Sequence, residues 1–321
     1  MFAVRTENLT KDFRIGFWRP RPYRALDHLN LEIAAGETFG FLGPNGAGKT
    51  TTLKLLMQLI FPTSGSAEIL GRPVGDVDVK RRIGFLPENP YFYDYLTAEE
   101  LLSYFAKLIG LDPGARSRRV ATLLDEVGIG GERRLQLRKF SKGMLQRIGI
   151  AQALLNDPEI VFFDEPMSGL DPLGRRDVRS LILRLRDRGT TVFFSSHVLS
   201  DAEALCSRVA IMAGGTLVAD GRVGDLHHFQ VRGWELVVGN LAPDVLERCR
   251  ARIVHATPLG DRRYSLELPI DSAPERLLNE LVAAGAHLVS LNPMRETLED
   301  FFVRTVGRHA NSRMAVERAA S

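Results

Sequence analysis

The chain has 321 residues, 45% hydrophobic and 25% charged, an ordinary globular composition with enough material for one large core and a smaller one. Its 42 Lys and Arg against 39 Asp and Glu leave a formal charge of +3, too small an excess to predict a nucleic-acid partner. The two cysteines, Cys206 and Cys249, exclude a disulfide framework and fit a reducing compartment. No uncharged apolar run reaches about 18 residues, so any membrane association is expected to be peripheral.

Up to about residue 225, short apolar runs alternate with amphipathic stretches, which is typical of a mostly parallel sheet layered with helices. The predicted strands are Thr38–Leu42, Ile83–Leu86, Ile160–Phe163 and Thr191–Ser195. Most of the predicted helices carry apolar residues at helical spacing. They are Lys49–Leu59, Ala98–Leu108, Arg118–Val127, Lys142–Leu154 and Leu173–Arg186. The pattern predicts an α/β domain over residues 1–225.

A second set of elements follows Gly221. It consists of strand Trp234–Val238, helix Pro243–Arg250, strands Arg252–Ala256 and Tyr264–Leu268, helix Ala273–Ala284 and strand His287–Leu291. This βαββαβ order predicts a small ferredoxin-like α+β domain over about residues 230–305. We expect Thr297–Val306 to form a closing helix and the polar residues 306–321 to be a disordered tail.

A glycine-rich segment joins the strand Thr38–Leu42 to the next helix. It consists of Gly43, Pro44, Asn45, Gly46, Ala47, Gly48, Lys49, Thr50 and Thr51. Backbone amides in such a loop surround phosphate oxygens, and the helix N-terminus adds the positive end of its dipole. Lys49 is predicted to reach the β- and γ-phosphates and Thr50 to ligate Mg²⁺. Because motif and context agree, ATP or GTP binding is favoured over a glycine-rich turn without a ligand.

Two acids follow the apolar strand Ile160–Phe163, at the edge where a parallel sheet would hold the phosphate loop. Asp164 is predicted to hold Mg²⁺ through water. Glu165 is predicted to accept a proton from, or to orient, the water that attacks the γ-phosphate. The alternative, in which both acids only end a strand and cap a turn, is disfavoured by the loop described above.

Three further segments occur in a characteristic order: Phe140-Ser141-Lys142-Gly143-Met144 at a predicted helix start, Ser168-Gly169-Leu170-Asp171, and Ser195-Ser196-His197 at a strand end. Together with the glycine-rich loop and the acid pair Asp164-Glu165, these segments resemble the motifs of the ATP-binding cassette (ABC) family, the nucleotide-binding subunits of ABC transporters. The resemblance covers roughly residues 1–225. The resemblance implies a P-loop ATPase fold with a helical subdomain at about 90–155. It also implies that Ser168–Asp171 is the loop through which paired subunits communicate.

The resemblance also assigns roles to single residues. Ser141 and Gly143 would bind the γ-phosphate of an ATP held by the opposite subunit, so that two subunits close around two nucleotides. His197 would contact the γ-phosphate and help to position the attacking water. Lys142 and Met144 depart from the family pattern Leu-Ser-Gly-Gly-Gln, so we expect the phosphate contact to run mainly through the Ser141 hydroxyl and nearby backbone amides.

Two more positions follow from the resemblance. Glu88 stands where the family usually carries Gln, and we expect it to serve as an oxygen ligand for Mg²⁺. Phe13 is the best match for the aromatic residue that stacks on adenine. The basic and aromatic stretch Arg14–Arg24 is expected to be a solvated loop, although it leaves open that Tyr23 or Trp18 reaches the base, or that the stretch touches lipid headgroups.

Within the family, the sequence resembles the branch that serves drug and polysaccharide exporters. The resemblance rests on Glu88, Gly40–Asn45 and Glu296–Phe302. The chain would then energise a separate integral-membrane permease, received by the segment from Glu88 to Tyr95, at the cytoplasmic face of the cell membrane. A soluble cassette ATPase acting on ribosomes or DNA is the main alternative. A P-loop kinase or GTPase would leave the segments after the phosphate loop unexplained.

The sequence leaves three roles open for the C-terminal domain: ligand sensing, dimerisation of the subunits, or bracing of the ATPase. His227-His228 lacks further ligands at sensible spacing, so a polar linker is predicted there rather than a metal site.

Overall fold

The computed structural model describes residues 2–16, 18, 20–226, 231–295 and 298–307. His227-His228 and the predicted tail beyond residue 307 lie outside the described residues. The chain divides into two compact units. The first unit contains the described residues up to Val223 and from Phe302 onward, and the second unit runs from Gly224 to Phe301.

The strands and helices follow one another in a regular α/β pattern and then a shorter α+β pattern. In chain order they are β1 (Phe2–Ile15), β2 (Arg21–Ala34), β3 (Thr38–Leu42), α1 (Lys49–Leu56), β4 (Ser64–Ile69), β5 (Arg72–Pro73), α2 (Val77–Lys80), β6 (Ile83–Leu86), α3 (Ala98–Leu108), α4 (Pro113–Glu126), α5 (Lys142–Ala153), β7 (Ile160–Asp164), α6 (Pro172–Asp187), β8 (Thr191–Ser196), α7 (Leu199–Leu205), β9 (Arg208–Ala213), β10 (Thr216–Arg222), α8 (Val223–Leu226), β11 (Val231–Gly239), α9 (Pro243–Cys249), β12 (His255–Gly260), β13 (Arg263–Pro269), α10 (Pro274–Ala283), β14 (His287–Arg295) and α11 (298–307).

The central sheet of the first unit has the order β10-β9-β3-β8-β7-β6. Its strands from β9 to β6 are parallel, and β10 runs antiparallel to β9. Every residue of β3, β7 and β8 is buried, as expected of parallel strands covered on both faces. The rings of Phe39, Phe41 and Phe162 lie 5.3–5.6 Å from that of Phe193 and fill one layer of this core.

A second, antiparallel sheet of the first unit has the order β2-β1-β4-β5. The expectation of a solvated loop over Arg14–Arg24 is wrong, because β1 continues to Ile15 and β2 already begins at Arg21. Phe13 pairs with Tyr23 and Ile15 with Arg21 across this long hairpin. Pairing satisfies backbone groups that a loop would leave to water.

Two predicted helix boundaries are also corrected. The helix predicted from Arg118 begins at Pro113, because the Asp112 side chain accepts hydrogen bonds from the amides of Gly114 and Ala115 and caps it there. The helix predicted to reach Leu59 ends at Leu56, shortly before Gln58 adopts a left-handed backbone with φ 54°. Among the helices that the structure describes, none is long and apolar enough to cross a membrane.

The second unit shows the βαββαβ order, from β11 to β14, with the antiparallel sheet order β12-β13-β11-β14 of a ferredoxin-like fold. Leu236 on β11 lies opposite Leu266 on β13 and Leu291 on β14, which fixes the register. Leu277 and Leu281 of α10 are buried in the same core. The second strand of this unit, β12, starts at His255 rather than Arg252, since a short 3₁₀ turn precedes it.

Candidate active site

The glycine-rich loop lies between β3 and α1, and close backbone approach requires two of its glycines, Gly43 and Gly48. Gly48 precedes α1 with φ 105°, and a Cβ atom there would lie 2.8 Å from the carbonyl oxygen of Ala25. A Cβ atom on Gly43 would lie 2.6 Å from the carbonyl oxygen of Met212. The loop can therefore turn tightly enough to present its amides, together with the N-terminus of α1, to an anion.

Lys49 is buried at the mouth of this loop. Its Nζ donates hydrogen bonds to the carbonyl oxygens of Gly43 at 2.7 Å and Pro44 at 3.3 Å. The same atom lies 3.4 Å from Oε1 of Glu165. The ammonium group is thus held between the phosphate loop and the acid that follows β7.

Asp164 ends β7, next to β8 and one strand away from β3, so it emerges at the edge that carries the loop. Oδ1 of Asp164 accepts a hydrogen bond of 2.6 Å from the Ser195 hydroxyl, and its carboxylate is also hydrogen bonded to Thr50. Burial raises the pKa of Asp164 above its ordinary value, although the Ser195 and Thr50 hydrogen bonds oppose the shift. The adjacent Glu165 charge raises it further, whereas Lys49 lowers it.

Glu165 follows with a left-handed backbone, φ 51°, which a non-glycine residue rarely adopts. Its amide donates a hydrogen bond of 2.9 Å to the Ser195 hydroxyl. Oε2 of Glu165 lies 2.8 Å from Nδ1 of His197, whose side chain is 47% exposed. The buried acid is therefore paired on one side with Lys49 and on the other with a histidine that reaches solvent.

A cleft of about 500 Å³ opens over these residues. The predicted residues that line it are Phe13, Asn45, Gly46, Ala47, Gly48, Lys49, Thr50, Thr51, Glu88, Glu165 and His197. Gly43, Pro44 and Asp164 do not line it, but they hydrogen bond to Lys49 or Thr50 in its wall. Tyr23, Ala25 and Ser168 complete the lining.

Of the aromatic residues predicted to stack on adenine, some line the cleft and others do not. Tyr23 lies opposite Phe13 in the β1–β2 pair and shares the cleft with it, whereas Trp18 is not among the lining residues. Lys11 places its Nζ 5.1 Å from the centre of the Phe13 ring. The hairpin thus presents two aromatic side chains to the cleft.

Ser141 and Gly143 lie elsewhere among the described residues. The Ser141 hydroxyl accepts a hydrogen bond of 3.3 Å from the Met144 amide and caps α5. A Cβ atom on Gly143 would meet Leu170, so the start of α5 packs against the segment Ser168–Asp171. Neither Ser141 nor Gly143 lines the cleft of their own chain.

The oxygen donors near the loop fit a magnesium ion. Mg²⁺ prefers hydroxyl, carboxylate and phosphate oxygens and keeps several water ligands. The Thr50 hydroxyl and the Asp164 carboxylate lie together, and Glu88 lines the same cleft. In the part of the chain that the structure describes, no group of three or more His, Cys, Asp or Glu could hold a metal by itself. Phosphate and water would therefore supply most of the ligands.

Ser195 is a site residue for which the sequence motifs predicted no role. Its hydroxyl joins Asp164 to the amide of Glu165, both about thirty residues earlier in the chain. Its place two residues before His197 was visible in the sequence, but its partners depend on the register of β7 and β8, in which Asp164 pairs with Ser195.

A phosphate-binding loop with its lysine, and two acids at the carboxyl edge of a parallel sheet, define a P-loop nucleoside triphosphatase. The family model described as ABC transporter matches residues 26–168. An uncharacterized ABC transporter ATP-binding protein of Synechocystis is 43% identical over 94% of this chain and 84% of its own length. The chain belongs to the ABC transporter ATP-binding family, and it is an ATPase.

Two further relatives carry a named activity. The bacitracin transport ATP-binding protein BcrA of Bacillus licheniformis is 36% identical over 95% of this chain and 97% of its own length. The linearmycin resistance ATP-binding protein LnrL of Bacillus subtilis is 33% identical over 87% of this chain and 93% of its own. These similarities extend through both units of the chain.

Among solved structures, the dimeric post-hydrolysis cassette MJ0796 bound to ADP and Pi matches with a TM-score of 0.63 and 26% identity, over 68% of this chain and 98% of its own. An ATP-binding subunit of an ABC transporter matches with a TM-score of 0.61 and 30% identity, over 70% and 92%. The predicted fold class, a P-loop ABC-type ATPase domain with a ferredoxin-like domain after it, is confirmed.

Proposed function

We propose that this chain energises an ABC exporter as one of two identical ATPase subunits that bind ATP face to face. One observation carries the proposal: Lys49, Glu165 and His197 meet in the cleft, while Ser141 and Gly143 lie outside it. Because Ser141 and Gly143 of one chain do not reach its own cleft, a second copy of the chain would supply them. Residues 1–225 would carry this chemistry, and residues 230–305 an accessory role.

Lys49 neutralises the β- and γ-phosphates, for which its position at the loop mouth is suited. Glu165 accepts the proton of the attacking water, and His197 holds that water and the γ-phosphate through the nitrogen that does not face Glu165. Thr50 and Asp164, with Glu88 near them, would hold Mg²⁺. When bound, that ion would neutralise charge that develops on the phosphates. Phe13 and Tyr23 would stack on the adenine.

Closure of two subunits brings Ser141 and Gly143 of one chain to the γ-phosphate held by the other. The capped N-terminus of α5 offers amides and a positive dipole end there. Groups fixed around the developing charge lower the barrier, and each 1.36 kcal/mol removed is about tenfold in rate. A subunit without its partner should therefore hydrolyse ATP slowly.

Export is supported by the named activities of two relatives, bacitracin transport and linearmycin resistance. The transport path would come from a separate integral-membrane permease. Three exposed tyrosines after Glu88, Tyr91, Tyr93 and Tyr95, offer a surface for it. The chain would then lie at the cytoplasmic face of the cell membrane, without a nucleic-acid partner.

The substitution Glu165→Gln tests the catalytic part of the proposal. Binding of ATP should persist while hydrolysis falls by about 10²- to 10⁴-fold, because the amide cannot accept the proton. The protein should then elute from a sizing column as an ATP-bound dimer. Glu247→Gln, at an exposed position of α9, is the matched control and should behave like the wild type. Near-normal phosphate release by Glu165→Gln would rule out Glu165 as the base.

Co-purification tests the partner. The full chain, captured from detergent-solubilised membranes of its own host, should bring an integral-membrane protein with it, and this partner should stimulate the ATPase. Substituting Ser for Tyr91 and Tyr95 should weaken that capture without changing ATP affinity. Sedimentation of the chain with ribosomes or binding to DNA, with no membrane partner, would favour the soluble alternative.

A further inference from the structure

Ser195 occupies the next-to-last position of β8, and its side chain is completely buried. Its hydroxyl donates to Oδ1 of Asp164 at 2.6 Å and accepts from the amide of Glu165 at 2.9 Å. The amide of Glu165 can only donate, so the hydroxyl proton must be directed at the carboxylate. Both bonds are therefore oriented without ambiguity.

The backbone of Glu165 needs this support. A left-handed conformation is unfavourable for a non-glycine residue, so the surrounding contacts must maintain it. The Ser195 hydroxyl holds the amide of Glu165, and the amide of Ser168 donates to its carbonyl oxygen at 3.0 Å. Held at both sides, the residue directs its carboxylate to Lys49 and His197.

We propose that Ser195 is a positioning residue for ATP hydrolysis, whose single hydroxyl orients the metal-binding acid Asp164 and the proton-accepting acid Glu165 together. The inference rests on the proposed function of those two acids. It goes beyond that function because Ser195 itself would touch neither the nucleotide nor the reacting water. Its effect on the rate is exerted through the placement of both carboxylates.

The neighbouring Ser196 provides a matched comparison. It is also buried in β8, but among the described residues its hydroxyl bonds to the backbone of Val198, accepting from the amide at 2.9 Å and donating to the carbonyl oxygen at 3.2 Å. Replacing either serine by alanine removes the same atom from adjacent positions of one strand. Only Ser195→Ala removes the hydrogen bonds to Asp164 and Glu165.

Ser195→Ala in the full chain should lower kcat by about 10- to 100-fold, the range seen when partners that orient a site's ligands are removed. The affinity for ATP, measured by calorimetry without Mg²⁺, should stay near that of the wild type. The Mg²⁺ concentration for half-maximal activity should rise. Ser196→Ala should retain wild-type kcat and Mg²⁺ dependence.

The double variant Ser195→Ala/Glu165→Gln separates positioning from a general structural effect. If Ser195 acts through both acids, its loss should slow hydrolysis less in the Glu165→Gln background than in the wild type, because only the contribution through Asp164 is then left to lose. Additive losses, or equal kcat for Ser195→Ala and Ser196→Ala while Glu165→Gln is inactive, would overturn the inference and leave the proposed function standing. Should Ser195→Ala fail to fold, Ser195→Cys keeps a weaker donor, and its kcat must fall below that of Ser196→Ala for the inference to hold.

Discussion

The carboxyl edge of the central sheet and the core of the second unit bury different kinds of side chain. At the sheet edge, Lys49, Asp164, Glu165 and Ser195 are 6%, 2%, 7% and 0% exposed. In the second unit, the buried side chains are apolar, and among its described residues no charged or hydroxyl-bearing side chain is fully buried. One of its ion pairs, between Arg252 and Glu280, lies at the surface.

This difference shows which region is optimised for chemistry. Burial of a charged group is unfavourable unless hydrogen bonds and opposite charges compensate for lost water. Every charged group at the sheet edge has such partners, on the loop, on β8 or at His197. The second unit follows the simpler rule of an apolar core, so we expect substitutions there to alter stability and those at the edge to alter activity.

Lys49→Ala should give the largest effect of the substitutions that probe this contrast. Loss of a buried cation from its phosphate partner costs about 2–5 kcal/mol, which is roughly 30- to several-thousandfold in ATP affinity. Lys54→Ala, an exposed position on the same helix α1, is the control and should bind ATP normally. Unchanged affinity of Lys49→Ala in calorimetry would contradict the assignment of the loop.

Leu266→Ala is the corresponding change in the second unit. Leu266 is fully buried on β13, and its truncation should lower the free energy of unfolding by about 2–5 kcal/mol. ATP affinity should not change. Urea unfolding and calorimetry measure the two quantities, and Leu259→Ala, exposed on β12, should change stability by less than about 0.5 kcal/mol. If Leu266→Ala weakened ATP binding as strongly as stability, the proposed division of roles would be wrong.

Thr97→Ala should give the smallest effect, away from both regions. Its hydroxyl accepts from the Glu100 amide at 3.2 Å, and its own amide donates to the Glu100 carboxylate at 2.8 Å, a capping box at the start of α3. The loss should be about 1 kcal/mol in urea unfolding. Ser103→Ala, inside the same helix, should be neutral or slightly stabilising. An equal loss in both variants would argue against the cap.

Local sequence determined the main elements and the nucleotide loop. The run Ile160–Phe163 is apolar throughout because both faces of its strand are covered, and the glycines of the phosphate loop are required by the backbone itself. The alternation of strands and helices after Gly221 likewise predicted the βαββαβ order. Such features depend on residues close together in the chain, which a single sequence displays.

The tertiary structure decided the remaining features, because they depend on groups far apart in the chain. The β1–β2 hairpin replaced a predicted loop, since pairing across the strands satisfied backbone groups that no local pattern could assign. The parallel pairing of β7 with β8 placed Ser195 beside Asp164 and Glu165. The sequence determined which acids stand at the sheet edge, and the folded register alone decided which hydroxyl orients them.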